Sequence, residues 1–134
     1  MITRLDHIAI AVTDIEKAIV RFLDDFGLDY KGRESVLAAQ TETAFFPISG
    51  TQIELIHPLD EMGPVQKHLE KRGPGLHHIC FETDNIEEDF QRLKEKGYRF
   101  LSETPQPGAH NTKVLFIHPK STGGILIELA EHPQ

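Results

Sequence analysis

The fold is decided by two stretches that repeat each other, LDHIAIAVTDIEKAIVRF at residues 5–22 and LHHICFETDNIEEDFQRL at residues 76–93. Aligning His7 of the first stretch with His78 of the second gives a shift of 71 residues. The shift also matches the pairs Leu5/Leu76, Ile8/Ile79, Ile15/Ile86, Glu16/Glu87 and Arg21/Arg92. Each copy begins with the alternation of a strand and continues with the periodicity of a helix. A duplicated strand–helix unit is therefore predicted.

Each copy also carries the signals that limit a helix. Thr13 and Asp84 stand three residues before a glutamate, which is the spacing of a capping box. Gly27 and Gly97 stand where a glycine ends a helix. We predict one helix in each copy between these limits.

The segments after each predicted helix read as strands separated by turns. They are residues 30–37, 42–48 and 51–58 in the first copy, and 98–103, 112–119 and 124–131 in the second. The order βαβββ is thus predicted twice. Between the copies, a helix is predicted to begin near Pro64 and to stop at Gly73-Pro74.

We expect one α+β domain over residues 1–134, because a small sheet with helices on one side cannot close its own core without a partner. The predicted limits within it are 1–59 for the first module, 60–72 for a short helical linker and 73–134 for the second module.

Composition and charge exclude several classes of protein. The chain is 39% hydrophobic and 26% charged, as in soluble globular proteins. No apolar run approaches the roughly 20 residues of a membrane helix, and the first residues carry no signal-peptide or transit-peptide pattern, so we expect a cytoplasmic protein. The single cysteine, Cys80, excludes an intramolecular disulfide framework. The net charge of −7 argues against a nucleic-acid surface.

Strand alternation selects the histidines that face open space. In LDHIAIAV, His7 shares a face with Ala9 and Ala11, whereas the isoleucines occupy the other face and pack against the helices. In LHHICFE the same parity selects His78, and His77 falls on the packed side as a structural residue. His7 and His78 are therefore expected on a face of small residues.

A carboxylate recurs in the last strand of each copy. Glu54 in TQIELIHP and Glu128 in GILIELAE occupy equivalent positions between aliphatic residues. A carboxylate inside a sheet is costly to desolvate, so such a residue is normally paired, hydrogen-bonded or metal-bound. With His7 and His78, each copy supplies one nitrogen and one oxygen ligand, a set suited to a divalent transition metal such as Zn, Co, Ni or Mn.

These features resemble the vicinal oxygen chelate superfamily, which includes glyoxalase I, extradiol dioxygenases, fosfomycin- and bleomycin-resistance proteins and the methylmalonyl-CoA epimerase family. The last is the most similar, since its signature is read in order in LDHIAIAV, IELIHPL, GPGLHHICFETDNI, GAHNTKVLFIHPK and GGILIEL, which together span nearly the whole chain. The resemblance implies that the sheets of the two βαβββ modules form a half-open, barrel-like cleft. We expect a homodimer, and the modules pair either within one chain or across the dimer.

The resemblance also implies a site and a reaction. One divalent ion (Co, Mn, Zn or Ni) is held by His7, Glu54, His78 and Glu128, the second of which is Gln or Glu in the family. The implied reaction is epimerisation of (2R)- and (2S)-methylmalonyl-CoA by loss and return of a proton through an enolate, whose charge the cation stabilises. Glu128 is assigned a second role as the base, and Glu42 in ETAFFP is the acid/base candidate for the opposite face.

Cationic residues of the second copy are candidates for binding the substrate. His110, Lys113, His118 and Lys120 cluster in GAHNTKVLFIHPKSTGG, where glycines permit a close approach to the backbone. Because the net charge is −7, an anionic CoA thioester needs such a local cluster. We expect contacts from His110, Lys113 and Lys120.

Three other functions use the same fold. Glyoxalase I uses the same types of metal ligand, but its substrate is a glutathione hemithioacetal. The compact chain and the HPK…GG ending favour a CoA thioester as the substrate. An extradiol dioxygenase needs Fe(II) held by two His and one Glu. The presence of Glu54 as a fourth candidate ligand argues against that function. A metal-free small-molecule-binding or resistance protein has no need of ionisable residues at all four positions.

Overall fold

A computed structural model describes all 134 residues, which divide into two compact units. The first unit comprises residues 7–77, and the second comprises residues 1–6 and 78–134. Strands β1 (Ile2–Ala11) and β5 (Gly75–Thr83) therefore contribute residues to both units.

The first unit contains a βαβββ module and one further helix. After β1 come helix α1 (Ile15–Val20), which continues as a π-helical segment (Arg21–Asp25), strands β2 (Arg33–Val36), β3 (Thr41–Ile48) and β4 (Thr51–Pro58), and helix α2 (Pro64–Arg72). The strand order is β2-β3-β4-β1, in which only the β4–β1 pair is parallel. Helix α2 begins at Pro64 and ends before Gly73, as the sequence predicts.

The second unit repeats the module with one strand much reduced. It contains most of β5, helix α3 (Ile86–Glu95), and strands β6 (Gln106–Pro107), β7 (Lys113–Ile117) and β8 (Ile127–Glu131). The strand order is β5-β8-β7-β6, in which only the β5–β8 pair is parallel. The beginning of β1 lies beside the end of β5, where the Asp84 N–H donates to the Met1 carbonyl.

The prediction of a strand at residues 98–103 is wrong. In this segment only Phe100 forms a bridge to β7. The two-residue β6 pairs with β7 at the position in the module that β2 has in the first unit. Ser102 and Gln106 both donate side-chain hydrogen bonds to the Thr104 carbonyl, which favours a turn over a ladder.

The helix starts lie one residue beyond the predicted Thr13 and Asp84. Asp14 and Asn85 are the N-caps, and the side chain of each accepts the backbone N–H three residues further on. These carboxylate and amide oxygens satisfy donors that the first helical turn leaves unpaired. Both helical segments end before the predicted glycines, which have positive φ. No helix has the length and apolar composition needed to cross a membrane.

Each unit has its own apolar core, formed by the face that carries the isoleucine and phenylalanine residues. In the first unit, side chains of α1 pack on Ala44, Phe46 and Leu55. In the second unit, Ile86 of α3 packs on side chains of β7 and β8. The packed faces predicted from alternation are confirmed, and His7, Glu54, His78 and Glu128 lie on the opposite faces.

A core substitution in the second unit should destabilise the protein strongly. Leu115 is 1% exposed on β7, so Leu115→Ala leaves a cavity and should lower the free energy of unfolding by about 3 kcal/mol. Leu101→Ala is the matched control, because Leu101 is 56% exposed and its loss should cost less than about 0.5 kcal/mol. Urea denaturation followed by circular dichroism measures both, and equal losses would contradict the assigned core.

Candidate metal centre

The first unit holds a buried histidine–carboxylate contact, which we call the first pair. In the parallel register of β1 and β4, Ala9 lies opposite Glu54, and His7 shares the face of Ala9 because strand residues alternate. Nδ1 of His7 lies 3.1 Å from Oε2 of Glu54. Both side chains are buried. The first two predicted ligands are therefore in contact.

The second unit holds the equivalent contact, the second pair. Cys80 of β5 lies opposite Glu128 of β8, which places His78 on the same face as that carboxylate. Nε2 of His78 lies 2.9 Å from Oε1 of Glu128, and both side chains are buried. The parallel pairing of a module's first and last strands thus produces the same arrangement twice.

An aromatic residue lies beside the glutamate of each pair. Phe45 of β3 stands opposite Glu54, and Phe116 of β7 stands opposite Glu128. Phe116 also meets the His78 ring edge-to-face, with centroids 5.2 Å apart and an interplanar angle of 86°. The sequence interpretation missed these two residues, although the 71-residue shift of the repeat relates them as well.

Each of the two pairs consists of ligand types that bind divalent metals. Imidazole nitrogens and carboxylate oxygens are ordinary ligands of Zn, Co, Ni and Mn. Two ligand atoms at about 2.1 Å from one ion and at right angles to each other lie about 3.0 Å apart. The contacts of 3.1 Å and 2.9 Å within the pairs are close to that separation. The residues present therefore fit such an ion.

Glu42 lies on the face of β3 that packs against α1. It is two positions before Ala44, which pairs with Leu55 in the core below that helix. Because successive strand residues point to opposite faces, Glu54 points away from this side. The structure does not bring Glu42 to the first pair.

Glu42 also has a cationic partner of its own. Arg33 of β2 donates from Nε to Oε1 of Glu42 at 2.7 Å and pairs with Glu16 of α1. The hydrogen bond to Glu16 is the main cause of the raised pKa of Arg33, and the bond to Glu42 adds to it against partial desolvation. The acid/base role of Glu42 stays a prediction, and this placement does not favour it.

His77 contacts helix α2. Its ring lies against that of His68, with centroids 4.8 Å apart and an interplanar angle of 65°. Burial, followed by the charge of Arg72, lowers the pKa of His68. The placement of His77 agrees with the structural role expected from its parity.

The predicted substrate-binding cations lie in the segments on either side of β7 and at its first residue. His110 is exposed and has a positive φ of 57°, and Lys120 is exposed in the turn after β7. Nζ of Lys113 lies 3.8 Å from a carboxylate oxygen of Glu87 and 3.9 Å from one of Glu131. These two carboxylates offset the charge of Lys113, and substrate binding by the three cations stays a prediction.

The repeated module agrees with comparisons to known proteins. Residues 6–116 match the model of the Glyoxalase/Bleomycin resistance protein/Dioxygenase superfamily. The chain belongs to this superfamily, that of the vicinal oxygen chelate proteins. The predicted α+β fold class with two βαβββ modules is confirmed.

Within the superfamily the chain is similar to epimerases of CoA thioesters. It is 41% identical over 133 residues to the ethylmalonyl-CoA/methylmalonyl-CoA epimerase of Cereibacter sphaeroides, covering 98% of this chain and 99% of that protein. The crystal structure of methylmalonyl-CoA epimerase from Mycobacterium tuberculosis matches with a TM-score of 0.94 and 37% identity, covering 99% of this chain and 90% of that one. A Streptomyces coelicolor methylmalonyl-CoA epimerase variant in complex with 2-nitronate-propionyl-CoA matches with a TM-score of 0.95 and 30% identity over the whole of both chains. The resemblance to the epimerase family is confirmed.

Proposed function

We propose that this chain catalyses the interconversion of (2R)- and (2S)-methylmalonyl-CoA. The observation that carries the proposal is a buried histidine–carboxylate contact in each copy of the repeat. Similarity to a named epimerase over 98% of the chain supports the choice of substrate.

The four residues of the two pairs are the proposed ligands of one divalent ion. His7 and Glu54 supply one nitrogen and one oxygen, and His78 and Glu128 supply the same types of atom. Cobalt, manganese, zinc and nickel all accept this set. When bound, the ion supplies positive charge that stabilises the negative charge developing on the thioester oxygen as a proton leaves the adjacent carbon.

Glu128 is the proposed base. Its carboxylate is held 2.9 Å from His78 and lies beside Phe116, so the acceptor oxygens are positioned before the substrate arrives. The carboxylate takes the proton from the carbon between the thioester and the free carboxylate of the substrate. Return of a proton to the other face completes the epimerisation. This step requires either a second acid/base group or a Glu128 that serves both faces.

Replacing Glu42 should have little effect on catalysis. Because its carboxylate is engaged by Arg33 on the opposite sheet face from Glu54, Glu42→Gln should lower the epimerisation rate by no more than about threefold. Loss of a partly exposed ion pair should lower the free energy of unfolding by at most about 1 kcal/mol. Arg33→Gln is the matched control and should behave alike. A loss above about 100-fold in folded Glu42→Gln protein alone would instead support the acid/base role inferred from the sequence.

Assays of the metal-loaded, unmodified protein with two substrates can distinguish this function from glyoxalase activity. Metal-loaded protein given (2S)-methylmalonyl-CoA should produce the (2R) epimer, measured by chromatography of the intact thioesters, which are diastereomers because CoA is itself chiral. Given methylglyoxal and glutathione, it should release no lactoylglutathione. Turnover of the hemithioacetal alone would replace the present proposal with lactoylglutathione lyase activity.

We further propose how the protein holds the CoA portion of its substrate, how it assembles and where it acts. His110, Lys113 and Lys120 contact the anionic CoA portion, the protein is a homodimer, and it acts in the cytoplasm as one domain of residues 1–134. Sedimentation equilibrium tests the assembly directly, and a monomer at micromolar concentration would contradict it.

A further inference from the structure

The second unit also holds a partly buried acid–histidine contact outside the proposed metal centre. Nε2 of His132 lies 2.6 Å from Oδ1 of Asp6, which is only 5% exposed. The same carboxylate oxygen lies 3.3 Å from Nη1 of Arg4, which also contacts Oε1 of Glu82 at 2.8 Å. Neither the sequence interpretation nor the proposed reaction gives Asp6 or His132 a role.

The two residues are placed next to ligand-bearing segments. Asp6 is the covalent neighbour of His7, and β1 passes from the second unit to the first between these two residues. His132 directly follows β8, the strand that carries Glu128. The contact therefore joins Asp6, which precedes the proposed ligand His7, to the end of β8, the strand that carries the proposed ligand Glu128.

The buried carboxylate makes this a specific contact. Replacing a buried ion pair by apolar residues of similar volume is often neutral or stabilising, so burial of a charge is weak evidence for a role in stability. Removing one partner of such a pair takes away a contact that offsets the desolvation of the other, which is costly. The contact thus enforces one position of Asp6, and through the peptide bond it restrains the backbone of His7.

We infer that Asp6 and His132 are positioning residues for the metal centre, which hold the backbone of His7 where its imidazole meets the ion. The inference rests on the proposed function. Metal sites need ligands placed to within about 0.5 Å, and loss of supporting residues typically weakens metal binding about 10–100-fold. Asp6 and His132 supply that support without being among the four proposed ligands.

The test measures Co²⁺ affinity of the full chain by competition with a chromophoric chelator, together with the visible spectrum of the bound Co²⁺. Asp6→Asn and His132→Gln should each weaken binding by about tenfold and alter the spectrum. The double variant should be no weaker than the weaker single variant, because both remove one contact. Arg4→Gln is the control: Arg4 is the partly exposed partner of Asp6 and should change the affinity by less than about twofold.

The outcomes separate this inference from the function on which it rests. If the unmodified protein binds Co²⁺ and both variants bind it equally well with lowered melting temperatures, the contact is only structural and the inference is overturned. If the unmodified protein binds no Co²⁺, the proposed metal centre itself is wrong. Should Asp6→Asn fail to fold, His132→Gln carries the test, because the His132 side chain is one-third exposed.

Discussion

Glu128→Ala is expected to lower kcat/KM for epimerisation of methylmalonyl-CoA by at least about 1000-fold, equivalent to about 4 kcal/mol of lost transition-state stabilisation. The substitution removes a proposed metal ligand and the proposed base together. It also leaves the buried His78 without the carboxylate that lies 2.9 Å away. The measurement is the initial rate of epimer formation with metal-saturated protein, alongside circular dichroism to confirm folding.

The repeat offers a matched control for this prediction. Glu54 occupies the equivalent position in the first pair but has no proposed role as a base. Glu54→Gln keeps an oxygen donor of the same shape and should retain activity within about tenfold of the unmodified protein, whereas Glu128→Gln should lose about 1000-fold. Equal losses in the two glutamine variants would show that Glu128 acts as a ligand alone.

Removing the proposed divalent ion is expected to lower the epimerisation rate by at least about 100-fold, because the charge that develops on the thioester oxygen loses its main stabilisation. Prolonged dialysis against a chelator should produce this loss, and added Co²⁺ or Mn²⁺ should restore the rate. The ion should also stabilise the fold, by about 2.7 kcal/mol when its concentration is 100 times Kd.

His7→Ala gives the matched control for metal removal, because it deletes a proposed ligand and leaves Glu42 and Glu128 in place. It should reproduce the low rate of chelated protein and should not recover on addition of metal at ordinary concentrations. A chelated protein with full activity, together with an unchanged His7→Ala variant, would support a metal-free binding protein of the same fold.

The two histidine–carboxylate contacts could be predicted from the sequence because two simple rules apply to these residues. Strand residues alternate between faces, and the 71-residue repeat places His7 and His78 at the same parity. The parallel pairing of first and last strands then brings Glu54 and Glu128 to those histidines. Alternation within a strand and repetition along the chain need no knowledge of register between strands.

The features that the sequence interpretation missed depend on register and on distant contacts. Arg33 reaches Glu42 only because β2 and β3 pair in a particular antiparallel register. Asp6 and His132 are 126 residues apart, and no periodicity links them. The irregular segment at residues 98–103 has a strand-like composition, but side-chain hydrogen bonds to the Thr104 carbonyl hold a turn next to it.

Proton exchange at C2 of methylmalonyl-CoA tests the proposed function most directly. Metal-loaded protein is incubated in D₂O with one epimer of methylmalonyl-CoA, and the product is examined by mass spectrometry and by chiral separation. Incorporation of deuterium at C2 together with loss of stereochemical purity is the predicted result, and neither should occur with Glu128→Ala. Retention of both the proton and the configuration under metal saturation would contradict the account.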